Sequence, residues 1–106
     1  MKREAKLGEI VYANPGDYFW FAPPKLNRTY RFQVGPAHGG LRISAWNTEC
    51  GREPLANNRV GEDFLDHKCE SATCGITVDG CRTAYQFVVS RTPNLFTAWT
   101  KRLFGH

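Results

Sequence analysis

The run Thr29-Tyr30-Arg31-Phe32-Gln33-Val34 alternates polar and apolar residues with period two, so Tyr30, Phe32 and Val34 share one face of a strand and point to a core. The same period returns where Leu41, Ile43 and Ala45 alternate with Arg42, Ser44 and Trp46, and again where Tyr85, Phe87 and Val89 line up in 84–90. Faces of this kind bury themselves in a sheet, not along a helix. Turn chemistry punctuates them. Asn14-Pro15-Gly16-Asp17 closes a short strand over 8–12, Pro23-Pro24 ends an apolar strand over 18–22, and the Gly-rich stretch 35–40 separates the next two. Turn signals at intervals of about 8 to 12 residues predict an all-β sandwich or small barrel of about six strands.

The period changes once. Leu95, Phe96, Trp99, Leu103 and Phe104 recur at helical spacing, with Lys101 and Arg102 placed to meet the C-terminal dipole, which predicts one C-terminal amphipathic helix over 94–104. Between 47 and 82 strand periodicity largely gives way to Gly51, Pro54, Asn57-Asn58, Gly61 and mixed charge, apart from a short apolar stretch at Ile76-Thr77-Val78. That segment reads as a long acidic loop, and 1–46 with 84–91 as the β core. With 106 residues, the whole of 1–106 is expected to be a single domain. Fourteen aromatics, seven Phe, four Tyr and three Trp, argue against disorder. The longest uncharged apolar run, 18–22, is far below the roughly 18 residues of a membrane helix. No apolar region follows the basic start Met1-Lys2-Arg3, so synthesis in the cytosol without a signal peptide is expected, with passage out of the cell only inside an assembled particle such as a virion.

Net charge is +4, but it is unevenly spread: between 49 and 80 seven acids face only Arg52, Arg59 and Lys68, which leaves +8 on the remainder. A bipolar chain suits contact with copies of itself or with protein neighbours better than it suits nucleic acid. Among those acids Glu62, Asp63 and Asp66 lack the alternating pattern of a calcium loop.

All four cysteines, Cys50, Cys69, Cys74 and Cys81, lie within the predicted loop. An even count bracketing a loop suggests two disulfides and no cofactor. Four thiolates, or three with His67, equally suit zinc, although the Cys-x₂-Cys pair of a zinc knuckle is missing. Wider and unequal spacings suit an iron–sulfur cluster. The segment Cys74-Gly75-Ile76-Thr77-Val78-Asp79-Gly80-Cys81-Arg82 resembles the last two ligands and following basic residue of the minor tail-tip proteins of lambda-like phages, whose C-terminal region holds such a cluster. That resemblance spans nine residues and implies cluster ligation by Cys74 and Cys81; the Cys50, Cys69 and Cys74 spacings differ from that family's.

No phosphate-binding glycine motif, nucleophile elbow or His-Glu-x-x-His pair occurs, so no catalytic residue is assigned and the chain is expected not to be an enzyme. Aromatics in excess of what the core can hide, Tyr18 and Trp20 on one face of their strand and Phe96, Trp99 and Phe104 on the helix, form the expected interaction surface. The predicted role is a structural or adaptor protein with protein partners in a homo- or hetero-oligomeric assembly, such as a phage tail. The alternative is a carbohydrate- or other ligand-binding sandwich whose Tyr18/Trp20 face stacks a glycan. Nucleic acid and membrane are not favoured as partners.

Overall fold

A computed structural model describes residues 2–35, 41–46 and 53–92. Among these, nine strands run in chain order: β1 (Lys2–Ala5), β2 (Ile10–Ala13), β3 (Tyr18–Phe21), β4 (Arg28–Gly35), β5 (Arg42–Trp46), β6 (Ala56–Asn57), β7 (Phe64–Cys69), β8 (Cys74–Asp79) and β9 (Tyr85–Arg91). They form a five-stranded sheet of order β1-β3-β8-β5-β6 and a four-stranded sheet of order β2-β9-β4-β7. Two separate sheets make this a sandwich, not a barrel. All pairings are antiparallel except β1 with β3, which is parallel.

Apart from β5 and β6, every consecutive pair of strands lies in opposite sheets. The turns therefore carry the chain across the core instead of folding it into hairpins. The turn between β2 and β3 is of type II, with Pro15 fixing the first corner, Gly16 at φ 91° and the Asp17 amide donating to the Asn14 carbonyl at 3.1 Å.

The core is where the alternating faces predict it. Tyr30, Phe32 and Val34 from β4, Ile43 and Ala45 from β5, and Tyr85, Phe87 and Val89 from β9 are all buried. From β3, Phe19 stacks on Phe87 with ring centroids 4.1 Å apart, while Phe21 meets Tyr30 and Phe32 edge-on at 5.1 and 5.8 Å. These contacts join the two sheets, and such aromatic pairs add about 0.5–1.5 kcal/mol each beyond area burial. The Tyr30 hydroxyl donates to the Lys25 carbonyl at 3.2 Å, whereas the buried Tyr85 hydroxyl has no hydrogen-bond partner among the described residues.

Three expectations are corrected. The strands number nine, not about six, and the described fold is all-β with no helix; the helix expected over 94–104 lies outside the described residues. The loop expected over 47–82 is overturned in its described part, 53–82, because β6, β7 and β8 fall within it and β8 is the central strand of the larger sheet. The side chain of Asn58, which reads as loop composition, clamps this region to β5: its oxygen accepts from the Ile43 amide at 2.8 Å, and its nitrogen donates to the carbonyls of Leu41 and Glu62 at 3.1 and 2.8 Å.

Candidate functional site

The outer face of the five-stranded sheet carries a row of aromatics. Because β3 alternates Phe19 and Phe21 inward, Tyr18 and Trp20 stand outward and half-buried. Trp20 pairs in register with Gly75 of β8, and Gly75 pairs on its other side with Trp46 of β5. The two indoles thus flank a buried glycine, their Cα atoms about 10 Å apart at two strand spacings. One rung along, Tyr18 pairs with Thr77, whose hydroxyl accepts from the Trp46 indole N–H at 2.8 Å and so fixes that ring. Lys2 of β1 lies over Trp20 with its ammonium 5.8 Å from the ring centroid. The sharing of a face by Tyr18 and Trp20 follows from their spacing. That Trp46 joins them depends on which strands neighbour β8.

A second feature lies where the chain passes from β7 to β8. A recess of about 370 Å3 opens there, lined by Trp46, His67, Cys69 and Cys74 among others. Cys69 and Cys74 are buried, 1% and 3% exposed, and both are free thiols; the Cys69 thiol donates to the His67 carbonyl and the Cys74 thiol to the Gly75 carbonyl, each at 4.0 Å. The proximity of the two thiols pulls the Cys69 thiol down from its ordinary range and, with burial, pushes the Cys74 thiol up. Burial also lowers His67, opposed by the charge of Glu70.

The four cysteines do not form one cluster. Cys81 lies beyond the far end of β8 from Cys74, half-buried, and its thiol is raised by burial. Cys50 lies outside the described residues, as do Phe96, Trp99 and Phe104. Among the described residues no group of three or more His, Cys, Asp or Glu side chains is arranged to hold a metal ion.

The outer face of the smaller sheet is built differently. Arg31 of β4 forms a two-pronged ion pair with Asp66 of β7, Nε to Oδ1 at 2.8 Å and Nη2 to Oδ2 at 3.0 Å, and its guanidinium lies 4.0 Å over the Phe64 ring. At one end of the sandwich Asp17 accepts from the Asn14 amide at 3.0 Å and from Arg3 at 3.4 Å, and the backbone donor holds its carboxyl below the usual range.

No family model and no curated protein matches the chain. The structure is similar to that of PliG from Aeromonas hydrophila, a periplasmic lysozyme inhibitor of g-type lysozyme, with a TM-score of 0.54 and 11% sequence identity over 85% of this chain and 98% of that one. The expectation of a cytosolic protein without a signal peptide is corrected on this finding, because the similar fold serves a periplasmic protein. The charge pattern at Met1-Lys2-Arg3 therefore does not assign a compartment. At this level of identity the fold alone is shared: the chain is a two-sheet β-sandwich similar to that of a periplasmic inhibitor protein.

Proposed function

We propose that this chain is a non-enzymatic protein-binding module that engages its partner through the outer face of the five-stranded sheet, and that the partner is a secreted hydrolase of the lysozyme class. The observation that carries the reading is the row Trp20, Gly75, Trp46 with Tyr18 beside it. Trp and Tyr are the residues most enriched at the energetic centres of protein interfaces, where they combine large apolar area with few rotatable bonds. Here Trp46 is additionally held in place by Thr77, which lowers the ordering cost of binding. The shared fold with an inhibitor protein supports the partner class, although fold by itself does not carry function. A virion or tail role draws no support from the comparisons.

The test is calorimetric titration of the chain into g-type lysozyme, with a lysozyme of another type alongside, and assay of residual peptidoglycan lysis. A stoichiometric complex is expected, weakened at least about 30-fold by Trp46→Ala, the size of an interface hot spot. Absence of any complex, or unchanged affinity in both Trp20→Ala and Trp46→Ala, overturns the reading. The spacing of the two indoles across Gly75 also favours a glycan-stacking platform as the second reading. Glycan-array binding lost in the same variants, without binding to the enzyme, would establish that one instead.

A further inference from the structure

We propose that Cys69 and Cys74 form an intramolecular disulfide that closes the crossover from β7 to β8 and ties the edge strand of one sheet to the central strand of the other. This inference does not rest on the binding reading above.

The argument begins with placement. Cys69 is the last residue of β7 and Cys74 the first of β8, and these strands belong to opposite sheets. Facing sheets pack about 10 Å apart, so two side chains pointing inward from them meet only near the middle of the core or where the chain itself bridges the gap. Glu70, Ser71, Ala72 and Thr73 make that bridge, and the cysteines at its two ends, free thiols in this structure, are both buried and line the same recess. The pairing is also selective. Cys81 is separated from Cys74 by the length of β8, and the five residue steps from Cys74 to Asp79 span about 17 Å, well beyond the roughly 7 Å limit between the Cα atoms of a disulfide. Of the described cysteines, Cys74 is therefore the partner within reach of Cys69.

The local chemistry suits thiol–disulfide exchange. The neighbouring Cys74 holds the Cys69 thiol below its ordinary range, while Cys69 and burial push the Cys74 thiol up, which makes Cys69 the attacking group. The oxidant is a small or protein disulfide such as oxidised glutathione, reaching the pair through the recess or before the turn closes. The Cys69 thiolate attacks one donor sulfur, the donor S–S bond breaks, and the released thiolate takes up a proton. Cys74 then loses its proton to solvent and attacks the Cys69 sulfur of the mixed disulfide, expelling the second donor thiol. In total the two cysteines give up two protons and two electrons, and the donor disulfide is reduced to two thiols.

The experiment incubates the full chain with oxidised glutathione, blocks free thiols with N-ethylmaleimide under denaturing conditions, and digests with a protease that cuts after Glu70, which separates the two cysteines. The expected product is a pair of peptides joined through Cys69 and Cys74. Recovery of both as alkylated thiols, or of either joined to Cys50 or Cys81, overturns the proposal. So does stoichiometric zinc in the purified protein that is lost in Cys74→Ser. As a second measurement, reduction is expected to lower the melting temperature by roughly 5–10 °C in the parent and in Cys81→Ser, but not in the Cys69→Ser/Cys74→Ser double variant. An equal response in the double variant also overturns it.

Discussion

The two outer faces of the sandwich solve the same problem in opposite ways. On the smaller sheet the outward Phe64 of the edge strand β7 is covered by Arg31 of β4, and Arg31 is in turn held by Asp66, so charge and ring satisfy one another within the sheet. At the other edge of that sheet, Ile10 and Tyr12 of β2 are exposed. On the larger sheet Tyr18, Trp20 and Trp46 stand together mid-sheet, half-buried; Lys2 lies over Trp20, and Trp46 is oriented by its indole hydrogen bond to Thr77. A face whose large side chains are fixed yet only half-buried is suited to a partner; a face whose side chains already cap one another is suited to solvent.

The comparison can be broken or sharpened by substitution. The inner face sets the upper bound: Phe19→Ala removes the ring stacked on Phe87 and is expected to cost about 3–5 kcal/mol by chemical denaturation, because the site between two sheets cannot collapse. Next, Trp46→Ala should lose at least about 30-fold in partner affinity, roughly 2 kcal/mol, while its unfolding free energy falls by only about 1 kcal/mol from the lost indole hydrogen bond. Arg31→Ala on the opposite face should show the reverse pattern, a stability loss of about 1 kcal/mol that shrinks in high salt and no change in binding. If Arg31→Ala abolished binding and Trp46→Ala did not, the assignment of faces would be inverted.

The smallest effect is a pH slope from His67. Its folded pKa lies below the ordinary 6.5, so the unfolded chain binds the proton more readily. Its contribution to stability is therefore full above about pH 6.5 and is lost as pH falls through the folded value. Melting temperature should drop between pH 7 and pH 5, and His67→Gln should flatten that drop; an unchanged slope would show that the imidazole stays solvated.

The sequence is legible where a strand has one greasy side. β4, β5 and β9 each place apolar residues at every second position, and all three are found with their predicted inward sets. β7 was hidden because its inward residues are Leu65, His67 and Cys69 while an aromatic, Phe64, faces outward, so the alternation is written in residues that do not read as apolar and polar. β1 was hidden for a different reason. Lys-Arg-Glu-Ala has no strand pattern, and only the parallel pairing with β3 and the reach of Arg3 to Asp17 make it one. At the site, Tyr18 and Trp20 could be read from their spacing, but Trp46 could not be added to them. The cysteines looked like a single cluster because sequence distance ignores that a strand between two residues holds them apart.

What the sequence determined by itself is the all-β class, the inward faces of its clearest strands and the presence of a turn at Asn14-Pro15-Gly16-Asp17, since each depends only on local stereochemistry and on a two-residue period. What the tertiary structure decided is which strand lies beside which. With nearly every turn crossing between sheets, neighbours in the chain are not neighbours in a sheet, and the row Trp20, Gly75, Trp46 is assembled from segments far apart in sequence. Pairing of that kind is set by the shared core and by long-range hydrogen bonds, and neither leaves a periodic trace in the chain.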